Sequence, residues 1–168
     1  MNKQRILSLK PLFLLTGLLI SSLSLAAPVG GVAPDFTLKS KSGKNIKLNE
    51  YRGDVVMINF WASWCGPCRQ EMPALEQLYS RYKDLGFVIL GVNLDEDSGK
   101  AIGMLNHIPV SFPILFDNDK KISNLYDVTA MPTTYLIDRN GNLRHLYKAY
   151  KPGYEEKYAK QIKALVRE

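Results

Sequence analysis

"NFWASWCGPCRQEMP", residues 59–73, holds both cysteines of the 168-residue chain, Cys65 and Cys68, with only Gly66 and Pro67 between them. Overlapping its start is "DVVMINFW" (54–61), an almost unbroken apolar run of the kind that a strand buried on both faces requires. After it, Met72, Leu75, Leu78, Tyr79 and Tyr82 recur at helical spacing as far as Gly86, a residue suited to ending a helix. The cysteine pair therefore lies where a buried strand hands over to a helix. In open α/β sheets that junction is where chemistry is usually found.

Two cysteines this close admit three readings: a staple, half of a metal site, or a redox centre. A bridge across two residues closes almost no loop, so it takes little entropy from the unfolded chain. A C-x-x-C zinc site needs a second pair of ligands, but no other cysteine exists, and His107 and His145 stand alone. No metal and no cofactor is expected, and redox chemistry remains. Cys65 at the helix entrance and Cys68 in its first turn meet unpaired N–H groups and the positive end of the helix dipole, which favour a thiolate. Cys65 is expected to be the exposed nucleophile and Cys68 the buried resolving thiol. Gly66 is assigned to a tight turn, and Pro67 starts the helix without losing a needed N–H.

Glu71 follows Cys68 by one helical turn and is the candidate acid or base for the resolving thiol; from spacing alone, a solvated helix charge is an equal alternative. Asn59, near the end of the strand, can hydrogen-bond in the same region but cannot titrate. Trp64, beside Cys65, is the expected substrate contact, while Trp61 is expected to pack beneath the site.

Elsewhere the pattern alternates strands and helices. "APDFTL" (33–38) and "KNIKLNEY" (44–51) suggest an N-terminal hairpin, "FVILGVNL" (87–94) a second buried strand, and "SGKAIGMLNHI" (98–108) a helix weakened by two glycines. "SFPILFD" (111–117) is short and extended, and "KKISNLYDV" (120–128) is a short helix. "TTYLIDRNGNLRHLYK" (133–148) is a hairpin whose Asn140-Gly141 fits a type I' turn. "YEEKYAKQIKALVRE" (154–168) is an amphipathic docking helix, with Tyr147, Tyr150, Tyr154 and Tyr158 packing around it. The acids of "NLDEDSG" (93–99) suit a solvated loop better than a calcium site. The whole describes one α/β domain with parallel central strands and an antiparallel edge.

The N-terminus has a different character. Positive residues in "MNKQR" and at Lys10 precede the apolar "LFLLTGLLISSLSLA" (12–26), which ends in small residues. Residues 1–26 are expected to be a signal peptide, leaving a domain over 27–168; an uncleaved anchor through 11–27 is the alternative. Lys3, Arg5 and Lys10 supply three of the six net positive charges, so the rest is too weakly basic to suggest nucleic-acid binding. A monomer is expected.

"FWASWCGPC" followed by "MPTTYLID" (131–138) resembles the thioredoxin superfamily. "APDFTL", the Glu71 and Pro73 of "CRQEMP", and the 35 residues between Asp95 and Met131 resemble its exported TlpA/ResA branch. The resemblance implies a thioredoxin-like fold: a central mixed β-sheet flanked by helices, with an extra N-terminal β-hairpin and an insertion before the cis-proline loop. It implies that Cys65 and Cys68 form a redox disulfide, that Pro132 is cis, and that beside it the Met131 or Thr133 peptide pairs with an extended substrate segment. A periplasmic or otherwise exported location follows, with exported disulfide-containing proteins as substrates and a membrane thiol reductase as electron donor. Cytoplasmic thioredoxins have an aspartate where this chain has Asn59, which moves the proton-handling role to Glu71. Members devoted to cytochrome c maturation often have a glutamate where this chain has Thr133, so that function is not implied. The leading expectation is a thiol-disulfide oxidoreductase acting as a reductase; a peroxiredoxin-like peroxidase and a non-catalytic interaction module are the alternatives.

Overall fold

β3 (Val55–Trp61) is buried at every position, as its apolar run requires, and it organises the sheet around it. The structure, a computed structural model, describes residues 29–168. The expected signal at 1–26 and the anchor alternative at 11–27 lie outside the described residues. In chain order the other elements are β1 (Thr37–Ser40), β2 (Asn45–Lys47), α1 (Gly66–Tyr82), β4 (Phe87–Asn93), α2 (Ser98–Leu105), β5 (Ile114–Phe116), α3 (Lys121–Leu125), β6 (Thr133–Ile137), β7 (Leu143–Lys148) and α4 (Tyr154–Leu165). The seven strands form one sheet in the order β2-β1-β5-β4-β3-β6-β7. β3, β4 and β5 are parallel, while β6 is antiparallel to β3, β7 to β6, and β1 to both β5 and β2.

Side chains alternate across β3, and the two faces build two cores. Val55, Met57 and Trp61 join Met72, Leu75 and Ile162 on the side covered by α1 and α4. Val56, Ile58 and Phe60 join Phe36, Tyr126, Tyr135 and Leu143 on the opposite side. Asn59 has the same parity as Met57 and Trp61, so the pleat directs a buried polar side chain towards α1 and α4. This alternation positions the site.

Several local expectations are corrected. "APDFTL" is extended only from Thr37, and residues 48–51 wind into a 3-10 turn instead of continuing a strand. The expected strand over 111–117 shortens to Ile114–Phe116. The turn after β6 is not type I', because Gly141 has a positive φ of 78° and Asn140 does not. Asp138 sets that turn instead: its carbonyl accepts from Gly141 N at 2.8 Å and its Oδ1 from the Asn140 and Asn142 N–H groups. A type I turn followed by a left-handed glycine results.

The first described residues lie against this same turn. Gly30 N donates to Leu143 O at 2.6 Å, Ala33 N to Gly141 O at 2.9 Å, and Val32 bridges Asn142. β6 pairs with β3 so that Ile137 lies opposite Val56 and Thr133 opposite Phe60. The turn is thus at the end of the sheet away from the cysteine motif.

Candidate active site

Cys65 is the N-cap of α1, with extended backbone and a Sγ that accepts from Cys68 N at 3.2 Å. It forms a disulfide with Cys68, with the Cα atoms 5.3 Å apart. The sulfurs thus lie at the N-terminus of α1, where the Cys68 N–H and the positive end of the helix dipole favour negative charge on Cys65. The expected contrast between an exposed Cys65 and a buried Cys68 is weaker than anticipated, at 5% and 1% exposure. What separates them is access: Cys65 lines a surface concavity, shared with Trp64, Pro67, Leu94, Val128 and Met131. Trp64 is 66% exposed and forms the rim's largest apolar surface. Gly66 is corrected as well. It is already helical, lacks a positive φ, and a Cβ there would meet nothing within 4 Å, so the turn makes no demand for glycine.

The Met131–Pro132 bond is cis, and Met131 borders the concavity. The Thr133 side chain faces inward, which leaves its backbone as the part that could meet a substrate. The residue is fully buried at the start of β6, and its hydroxyl donates to Ala130 O at 2.7 Å.

Behind the disulfide lies a buried polar group. Glu71 is wholly buried, which rules out the solvated-charge alternative. Its Oε2 accepts from Asn59 Nδ2 at 2.9 Å and its Oε1 from the Tyr158 hydroxyl at 2.8 Å. Asn59 Nδ2 also donates to Thr134 Oγ1 at 2.9 Å, and Asn59 Oδ1 has no protein partner. Loss of water destabilises the charged carboxylate more than the two donors stabilise it, so the Glu71 carboxyl is pushed up to about 7. The Tyr158 phenol is pushed upward by burial and by Glu71, so it remains a donor.

A second buried carboxylate steadies the loop before the motif. Asp95 accepts from Ser63 N at 2.9 Å, Ser63 Oγ at 3.0 Å and Asn93 Nδ2 at 2.8 Å. Neither Asp95 nor Tyr158 is assigned to the site by sequence reasoning. One signal pointed to Tyr158: a tyrosine at a buried helical position, where leucine would pack, needs a partner for its hydroxyl. Asp95 has no such signal, since its partner Ser63 is 32 residues away. Among the described residues no cluster of three His, Cys, Asp or Glu could hold a metal ion, and no helix is long and apolar enough to cross a membrane.

Comparison with known proteins fits this geometry. The AhpC/TSA family model matches residues 29–146. Thiol-disulfide oxidoreductase ResA of Geobacillus kaustophilus is 40% identical over 121 residues, covering 72% of this chain and 70% of that protein. The ResA of Bacillus subtilis is 36% identical over 114 residues, 68% of this chain and 64% of that one. A candidate thiol:disulfide interchange protein DsbE from Chlorobium tepidum superposes with a TM-score of 0.81 at 41% identity, over 83% of this chain and 99% of that one. The thioredoxin domain of a thiol-disulfide oxidoreductase from Bacteroides vulgatus follows at 0.72 and 25%, over 83% and 98%. With a thioredoxin-like sheet, a C-x-x-C disulfide at the head of α1 and these relatives, the chain belongs to the AhpC/TSA family, among its ResA-like thiol-disulfide oxidoreductases.

Proposed function

We propose that the chain is an exported reductase of disulfides in other exported proteins, with residues 1–26 as its signal and 27–168 as its working domain. The observation that carries the reading is the asymmetry around the disulfide: Cys65 opens on a concavity, and a carboxyl shifted towards neutrality lies one helical turn from Cys68. In the reduced protein the Cys65 thiolate attacks a substrate disulfide. One S–S bond breaks, one forms to Cys65, and the first substrate sulfur leaves as a thiolate. Glu71 then accepts the proton of Cys68, whose sulfur attacks Cys65 and closes the internal disulfide. The second substrate sulfur departs, and two electrons have passed to the substrate. The proton held by Glu71 returns to a departing thiolate or to water.

Trp64 and the Met131–Pro132 segment support substrate docking, Met131 by bordering the concavity and Trp64 by its exposed ring. Asn59 holds the Glu71 carboxyl without titrating. A membrane thiol reductase supplies the two electrons that reset the pair, a role that the ResA resemblance implies. The names of the relatives favour thiol-disulfide exchange over peroxide reduction.

Cys65→Ser is expected to abolish reduction of an insulin disulfide, and Cys68→Ala to accumulate mixed disulfides at Cys65. Wild-type turnover by the serine variant would overturn the assignment.

A further inference from the structure

The C-terminal helix contributes a side chain to the proton-handling group. Tyr158 is 1% exposed and its ring meets those of Tyr147 and Tyr154 edge to face, with centroids 4.8 Å and 6.3 Å away. A phenylalanine would make those same ring contacts, so packing does not account for the hydroxyl. That hydroxyl donates to Glu71 Oε1 at 2.8 Å, while Asn59 from β3 holds Oε2 at 2.9 Å. Thr134 from β6 lies against both, as a hydrogen-bond neighbour of Asn59 Nδ2 and of the Tyr158 phenol.

We propose that Tyr158 is a positioning residue for the redox cycle: its hydroxyl pins one carboxylate oxygen of Glu71 and so sets the pH at which that carboxyl takes the proton of Cys68. The inference rests on the proposed role of Glu71. The groups facing Glu71 are few: Asn59 from β3, Thr134 from β6, Tyr158 from α4, the phenol of Tyr150 before α4, and Cys68 on α1 itself. No charged neighbour contributes to the position of its titration. The ionised carboxylate is stabilised in the folded protein by two hydrogen bonds alone, and each should have a measurable influence on it. Removing the phenol oxygen takes away one of the two and leaves the carboxylate harder to form.

The test uses reduced full-length protein and an aromatic disulfide whose released thiolate absorbs visible light. Release of the second thiolate reports the attack of Cys68 on the mixed disulfide, and its rate is followed against pH. The wild-type rate is expected to inflect near pH 7, the value to which burial pushes Glu71. Glu71→Gln should remove that inflection, and Tyr158→Phe should move it upward by about one pH unit, since a hydrogen bond to a charged group is worth about that much. An inflection unmoved in Tyr158→Phe but lost in Glu71→Gln overturns the role of Tyr158 alone. An inflection that survives Glu71→Gln overturns the Glu71 assignment and the inference with it. Thermal unfolding checks that each variant is folded. A 3-fluorotyrosine placed at 158 keeps the ring and strengthens the donor, so it should shift the inflection to lower pH. A loss of packing cannot produce that opposite shift, and it decides the matter if the phenylalanine protein does not fold.

Discussion

Asp95 and Glu71 are both buried carboxylates beside the cysteine motif, yet donors enclose the first and mainly apolar side chains surround the second. Asp95 accepts three hydrogen bonds, one of them from the Ser63 backbone, and thereby fastens the end of β4 to the loop entering the motif. Glu71 accepts only two, both from side chains, and sits against a core that includes Met72, Leu75 and Ile162. The difference separates two uses of a buried charge. A carboxylate surrounded by donors works as a fastener, whereas one short of donors is placed to change protonation state during a reaction.

The contrast can be broken most forcefully at Asp95. Asp95→Ala leaves Ser63 N–H and the Asn93 amide without their acceptor, and is expected to cost on the order of 4 kcal/mol in urea unfolding. If the fastener reading holds, the pH inflection of the exchange rate stays where it is in the wild type. An inflection that moved with Asp95→Ala would show that the two carboxylates are coupled and that the distinction is artificial.

A smaller effect, of opposite character, is expected at Glu71. The folded protein retains a proton on this carboxyl between its ordinary value of 4.5 and about 7, where the unfolded chain has released it. Glu71 is therefore no burden to stability below about pH 4.5, and it becomes one progressively as pH rises through about 7; the total is about 3 kcal/mol. Glu71→Gln should remove this decline, so that the variant gains on the wild type as pH rises from 4.5 to 8 in thermal or denaturant unfolding. A parallel pair of pH profiles would sink the account of burial. The smallest change is Ser63→Ala, which removes only the hydroxyl donor to Asp95 and should cost about 1 kcal/mol at every pH, with the backbone bond left intact.

These two carboxylates also mark how far the sequence could be read. Glu71 was legible because its relation to Cys68 is local: three residues along a helix always share a face. The strands β3 and β4 were legible for a similar reason, since a strand buried on both faces must be a continuous apolar run. Asp95 was read as part of a solvated acidic loop, because acids near a glycine and a serine carry that composition whatever lies next to them in space. Two of its three donors come from Ser63, and no periodicity relates residues 32 positions apart. Tyr158 was seen as packing, correctly for its ring, but its hydroxyl partner is 87 residues away. The register that sets Thr134 opposite Asn59 is equally invisible in a one-dimensional pattern. The type I' turn failed because the carboxylate of Asp138 offered two N–H groups a better arrangement than the Asn-Gly dipeptide alone would choose.

The bonds from Gly30 and Ala33 to the turn after β6 have a consequence for how the molecule stands. β3 is seven residues long, and Cys65 follows its far end, so about 20 Å of strand separates the two poles. The first described residues lie at one pole while Cys65 lines the concavity at the other. The approach to Cys65 and Trp64 is therefore open on the side that the first described residues leave free, like a harbour whose quay lies on the far shore.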